Sequence, residues 1–213
     1  MTPTPTALIL DFGGVLTNDL WDSVRACSRR EGLPPDRLLD LIHKDPQIHP
    51  LFVGLERGEV GQHEFETHLG AAAGIRPERL LERMCADLRP DNAMLAAVAT
   101  LRTQGIRIGV LSNSWGSGYF SPYQGYHLED QTDAVILSDQ VHLRKPEPAI
   151  FELMLARLET TAAMSVFVDD VAVNLPPAEA MGIRVVHHVN TRQTLMALER
   201  AFATELTAAT PAG

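Results

Sequence analysis

The stretch that most narrows the possible folds is Ala7-Leu8-Ile9-Leu10-Asp11-Phe12-Gly13-Gly14. Four successive apolar residues without alternation read as a strand buried on both faces, the pattern of a parallel sheet covered by helices on each side. An aspartate ends the run, and two glycines let the backbone turn away at once. In open α/β sheets the chemistry lies beyond the carboxyl ends of the strands. Asp11 is therefore expected at that edge, as a nucleophile or a metal ligand. An aspartate that only caps a turn is the plain alternative.

Over residues 18–90 the strand-helix rhythm stops. Segments 21–30, 36–43, 62–73 and 77–87 carry apolar residues at three- and four-residue spacing and read as helices. Gly32, Pro34-Pro35, Pro46, Pro50, Gly54, Gly58 and Gly74 punctuate them. A helical lid inserted after the first strand is the expectation. From Pro90 the rhythm returns, with a helix over 91–104 and a strand over 107–111 that runs into Ser112-Asn113. A loop covers 114–132 and a strand 134–137, and Pro148 sits near the first turn of a helix over 149–158. A strand over 165–168 ends in Asp169-Asp170. A helix from Pro176-Pro177 to Gly182, a strand over 183–186 and a helix over 191–207 close the chain. Alternation with right-handed crossovers makes this an α/β fold with a doubly wound, mostly parallel, Rossmann-like sheet. The predicted core is 1–17 plus 91–213, the predicted cap 18–90, and the Thr/Pro/Ala-rich tails are expected to fray.

A net charge of −9 argues against non-specific nucleic-acid binding. No run approaches the roughly 20 apolar residues of a membrane span. The opening MTPTPT has neither a basic nor an apolar leader region, so the chain is read as cytoplasmic. Cys27 and Cys85 form no CxxC and are expected as free thiols. A homodimer remains an open alternative.

Strand carboxyl ends in one parallel sheet share an edge, so Asp11, Ser112-Asn113 and Asp169-Asp170 should converge, with Lys145 opening a following helix. Clustered carboxylates need a hard cation, and oxygen-only ligands favour Mg²⁺. Lysine and metal together suit the charged oxygens of a transferring phosphoryl group, and a carboxylate can be the nucleophile.

The order Asp11, Ser112, Lys145, Asp169-Asp170 resembles the four motifs of the haloacid dehalogenase superfamily, and the helical insert resembles that family's C1-type cap. LSNSW (111–115), RKPEPAIF (144–151), FVDDVAVNLPPAEAMGI (167–183) and, in the cap, ERGEV (56–60) are similar to the N-terminal phosphatase domain of soluble epoxide hydrolases. The resemblance implies a hydrolase of small phosphorylated metabolites that works through phospho-Asp11. Mg²⁺ would be held by Asp11, Asp170 and the Gly13 carbonyl. Asp169 would orient Lys145 or a metal-bound water, Lys145 would neutralise the nucleophile and the phosphate, and Ser112 and the N–H of Asn113 would hold phosphoryl oxygens. Asn174 would support the fourth motif. Two rival readings are a metal-free 2-haloacid dehalogenase, against which the paired aspartates weigh, and a non-catalytic binder of phosphorylated metabolites.

Gly13 departs from the pattern, because phosphatases of the family usually carry a second aspartate there, as acid and base. General acid–base catalysis contributes typically about 10²–10⁴-fold, so alkyl phosphates should suffer most. Thr17, Asp19, Asp22 or a cap residue are candidate substitutes. Trp115 is a candidate for the substrate pocket or else packs under the cap, and Glu56 and Arg57 are candidates for substrate contact against the default of helix-surface charges. His142 is a weaker candidate. Tyr119, Phe120, Tyr123 and Tyr126 are expected to pack within their loop, with an entrance or an interface as the alternative. His63 and His68 are five apart, not the four that a shared helix face needs, so a solvated surface is expected. Of His187-His188, one should be buried and one exposed.

Overall fold

A computed structural model describes residues 4–206. Five parallel strands make one sheet: β1 (Ala7–Leu10), β2 (Arg107–Ser112), β3 (Ala134–Leu137), β4 (Ser165–Asp169) and β5 (Arg184–His187), in the order β3-β2-β1-β4-β5. The central strand β1 pairs with β2 on one side and β4 on the other, which makes it the most enclosed element. Its side chains divide by the two-residue period of a strand. Leu8 and Leu10 pack with Met94, Val98 and Leu101 of α6 (Asn92–Thr103) and Leu198 and Phe202 of α11 (Thr191–Phe202). Ala7 and Ile9 pack with Ile150, Phe151 and Met154 of α9 (Pro148–Arg157) and Ala178 of α10 (Leu175–Ala180). The unbroken apolar run is thus a strand with helices on both faces.

Between β1 and α6 lie α1 (Leu20–Arg30), α2 (Arg37–Lys44), α3 (Ile48–Glu56), α4 (Gln62–Ala73) and α5 (Leu80–Met84). They surround an apolar cluster of their own, including Val24, Ile42, Phe52, Phe65 and Leu81. Trp115, from the loop after β2, is buried in that cluster at 3% exposure. The chain enters and leaves this unit through two adjacent segments: Asn18 N donates to Arg89 O at 2.9 Å, and Asp91 N to Leu16 O at 2.9 Å.

Several boundaries differ from expectation. Helix α3 covers a stretch read as punctuation. Asp45 Oδ1 accepts from the N–H groups of Gln47 (2.9 Å) and Ile48 (3.1 Å), capping the helix, and Pro50 falls in a first turn that needs no N–H from it. Helix α5 is shorter than 77–87. One-turn helices α7 (Leu128–Gln131) and α8 (Ser138–Val141) stand where only loop was expected. The last helix ends at Phe202, with Ala203 left-handed at φ 53°. The expectation of frayed tails falls, at residues 1–3 and 207–213, outside the described residues.

Candidate active site

Asp11 follows β1, and its N–H donates to Val168 O of β4 at 2.9 Å, so the two strand ends sit side by side. The sharp turn beyond it depends on Gly14, at φ 78°, where a Cβ would lie 2.5 Å from Asp170 Oδ2. Only a residue without a side chain brings these two loops together.

Lys145 is 1% exposed, and its Nζ lies 2.8 Å from Asp11 Oδ1 and 2.7 Å from Asp169 Oδ2. Asp11 Oδ1 also accepts from Phe12 N at 2.7 Å, so Oδ2 is the oxygen without a protein partner among the described residues. Asp169 is fully enclosed. Its Oδ1 accepts from Val171 N at 2.8 Å, and Asn174 Nδ2 donates to both of its oxygens at 3.1 Å. Asn113 and Lys145 exchange two bonds, Asn113 Nδ2 to Lys145 O at 3.1 Å and Lys145 N to Asn113 Oδ1 at 2.8 Å. The Asn113 side chain thus fixes the lysine backbone, a contact that the motif reading had not supplied.

Burial raises the Asp11 carboxyl to about 6 although Lys145 opposes it. Burial, then the Asp11 and Asp169 charges, raises Asp170 to about 8. For Lys145 burial works downward, but Asp11 and Asp169 outweigh it and hold the ammonium above its usual range. Carboxylate oxygens of Asp11, Asp169 and Asp170 lie within 4.8 Å of one another, and Asp170 Oδ1 is buried without a hydrogen-bond partner. An orphaned carboxylate oxygen in an all-oxygen donor set, with three acids facing one ammonium, fits a hard divalent cation such as Mg²⁺.

Above these groups is a cavity of about 350 Å³. Asp11, Gly13, Ser112, Asn113, Lys145 and Asp170 line its polar end. Trp21, Phe52, Trp115, Leu20 and Leu88 line the rest, with His43 and His49 among them. The Trp21 ring stands edge-on to His43 at 4.7 Å and 6.1 Å from Trp115. The histidines, Trp21 and Phe52 had no place in the motif reading, because helix faces on an insert have no fixed register toward the strands. Tyr123 also lines the cavity and donates to Ser112 Oγ at 2.9 Å, while Tyr126 packs edge-on to Phe12 at 4.8 Å. Glu56 and Arg144 line the cavity as well; Arg57 and His142 do not.

The proposed substitutes for the residue missing at Gly13 are accounted for otherwise. Thr17 Oγ1 accepts from Gly14 N at 3.1 Å and donates to Asn18 O at 2.9 Å. Asp19 caps α1 through Trp21 N at 2.7 Å, and Asp22 pairs with Arg25 at 2.8 Å. None of the three lines the cavity. His63, His68 and His187 are exposed, and His188 is half-buried.

The family model for haloacid dehalogenase-like hydrolases matches residues 78–188. A sesquiterpene phosphatase of Aspergillus oryzae is 26% identical over 148 residues, 68% of this chain and 76% of that one. A D-ribitol-5-phosphate phosphatase of Bacteroides thetaiotaomicron is 28% identical over 194 residues, 86% of this chain and 91% of its own. Bifunctional epoxide hydrolase 2 of Mus musculus is 33% identical over 119 residues, 54% of this chain, and the match spans only 22% of its length. Among solved structures, a HAD-like hydrolase of Porphyromonas gingivalis superposes with TM-score 0.71 at 22% identity, covering 93% of this chain and 99% of that one. A HAD-family enzyme of Bacteroides thetaiotaomicron, solved with magnesium and inorganic phosphate, gives 0.65 at 22% identity, covering 86% and 93%. The L-2-haloacid dehalogenase of Xanthobacter autotrophicus, with chloropropionic acid covalently bound, gives 0.63 at 21%, covering 86% and 77%. At these identities the superpositions speak for the fold alone.

Proposed function

The chain belongs to the haloacid dehalogenase-like hydrolase family, and we propose that within it this protein is a Mg²⁺-dependent phosphatase acting on phosphate monoesters with an apolar body. The observation that carries this reading is the buried Lys145 ammonium shared by Asp11 and Asp169, beside an unpartnered Asp170 oxygen. Asp11 Oδ2 is the attacking atom. Its P–O bond forms as the ester oxygen leaves, and water then cleaves phospho-Asp11. Lys145 holds the phosphoryl charge, and Asp169, pinned by Asn174, keeps the ammonium aimed. Ser112 Oγ and the Asn113 N–H hold phosphoryl oxygens. Asp11, Asp170 and the Gly13 carbonyl would hold Mg²⁺, which when bound would supply Lewis-acid charge to the transferring group.

Residues 18–90 act as the cap over a core of 1–17 and 91–213, and their aromatic side chains receive the carbon body of the substrate. The apolar cavity wall supports this, as does the sesquiterpene phosphatase among the relatives. Among the described residues no helix is long and apolar enough to cross a membrane, and Cys27 and Cys85 are free, which supports a cytoplasmic place. The test is product release from 4-nitrophenyl phosphate and from chloroacetate, each with Mg²⁺ and with EDTA. Phosphate release that needs Mg²⁺ and vanishes in Asp11→Asn is the expected result. Halide release indifferent to EDTA would instead identify a dehalogenase.

A further inference from the structure

The family's second aspartate is absent at Gly13, and the cavity holds few groups able to replace it. Asp11 and Asp170 belong to the nucleophile and cation positions, and Lys145 is committed to Asp11 and Asp169. Tyr123 donates its hydrogen to Ser112, and burial pushes its hydroxyl upward. His43 is pushed down by burial and then by the His49 and Lys44 charges, and its ring is packed edge-on to Trp21 at 4.7 Å in the aromatic wall. His49 bonds Ile42 O through Nδ1 at 3.0 Å, turned toward its own helix connection. Glu56, at the end of α3, is different. It is 5% exposed and lines the cavity, and the charges of Lys145 and Asp11 both act on it.

Glu56 is also held in place. Its Oε2 takes both Arg144 Nε and Nη2 at 2.6 Å, and Arg144 directly precedes Lys145. Its carbonyl accepts from Ser138 Oγ, and Arg57 O is bonded by His142 Nδ1 at 2.8 Å. Arg57 Nη2 in turn reaches Glu147 Oε1 at 2.5 Å, so the cap turn is tied to both sides of the lysine loop. Oε1 of Glu56 has no hydrogen-bond partner among the described residues. One carboxyl oxygen is anchored while the other is free to carry a proton. Burial raises this carboxyl from its ordinary value despite Arg144, which favours the protonated acid.

On the phosphatase reading above, we propose that Glu56 of the cap is the general acid and base that replaces the aspartate missing at position 13. As Asp11 Oδ2 bonds to phosphorus and the P–O bond of the ester breaks, the Glu56 Oε1 proton passes to the departing oxygen, releasing the alcohol. The Glu56 carboxylate then takes a proton from the water that attacks phospho-Asp11. The new P–O bond frees Asp11 as inorganic phosphate leaves, and Glu56 is again protonated.

The discriminating measurement is kcat on hexyl phosphate against kcat on 4-nitrophenyl phosphate, both read on one protein preparation so that misfolded material drops out of the ratio. Glu56→Gln keeps the Arg144 contact and removes the proton. The alkyl ester, whose leaving group needs protonation, is expected to lose about 10²–10⁴-fold and the aryl ester at least about tenfold less. Adding Gly13→Asp to Glu56→Gln should restore the alkyl-to-aryl ratio, since a Cβ at Gly13 meets only the Leu20 side chain, Cδ2 at 3.4 Å and Cβ at 3.6 Å. If Glu56→Gln does not accumulate folded, Glu56→Asp keeps a carboxyl but withdraws it by one methylene, and the alkyl ester is expected to lose more than the aryl ester. Equal losses on both esters would make Glu56 a purely structural contact and overturn the assignment. Silence of the wild type on both esters, with Mg²⁺ present, would overturn the phosphatase reading itself.

Discussion

Lys145 and Asp11 meet in a site almost closed to water, Nζ to Oδ1 at 2.8 Å, with the lysine 1% exposed. The same ammonium is shared with Asp169, so its removal leaves two buried carboxylates without a counter-charge. Breaking a buried pair from one side costs about 3–5 kcal/mol. Lys145→Met should therefore lower the melting temperature by about 10 °C (~2–4 °C per kcal/mol at this size) and reduce phosphate release by at least about 10²-fold. Thermal melts and 4-nitrophenyl phosphate turnover check both.

Asn113 holds the lysine backbone from the neighbouring strand end through two bonds, at 3.1 and 2.8 Å. Asn113→Ala leaves both backbone groups of Lys145 short of a partner, at roughly 1–3 kcal/mol for a buried group. Because the ammonium is then poorly aimed while the cavity wall is intact, kcat should fall about tenfold with KM within about twofold. A change confined to KM would show instead that Asn113 acts on substrate binding.

Asp170 at about 8 and Asp11 at about 6 both stand above the ordinary carboxyl value of 3.8. Between about pH 4 and pH 8 the native chain thus keeps protons that the unfolded chain has released. Stability without metal should decline as pH rises through this window. In EDTA the melting temperature is expected to be lower at pH ~8.5 than at pH ~5.5. With Mg²⁺ the cation takes the place of the protons, so the decline should flatten or reverse. Apparent Mg²⁺ affinity should strengthen over the same range, measurable by calorimetry.

Trp21 faces the cavity, with its ring centroid 6.1 Å from that of Trp115 and 6.4 Å from that of Phe52. An apolar wall of this kind rewards a carbon body at about 25 cal/mol per Å² covered. Trp21→Ala should raise KM for decyl phosphate about tenfold and leave inhibition by inorganic phosphate within about twofold. Equal effects on both ligands would refute an apolar substrate body.

Much of the candidate site is legible in the sequence. Asp11, Ser112 and Asp169-Asp170 end or follow apolar strands, Lys145 stands just before α9, and a parallel sheet leaves strand ends only one edge at which to gather. Asp19 and Asp22 lie near Asp11 in sequence, yet one caps α1 and the other pairs with Arg25 on the surface. Proximity along the chain says little once a helix begins, because the side chains then fan out around its axis. Helix α3 was hidden behind Pro50 and Gly54, whose tolerance depends on position within the helix rather than on presence.

The sequence by itself determined the buried central strand, the acidic strand ends and the inserted helical unit, since these follow from local apolar periodicity and from the two-residue period of a strand. Which oxygen of Asp11 stays free, why Gly14 must lack a side chain, and which cap groups meet the cavity were decided only by tertiary structure. Those outcomes depend on contacts between segments far apart in the chain, such as Glu56 with Arg144 and Asn113 with Lys145. Such contacts are set by how helices pack over strand ends, which no local pattern encodes.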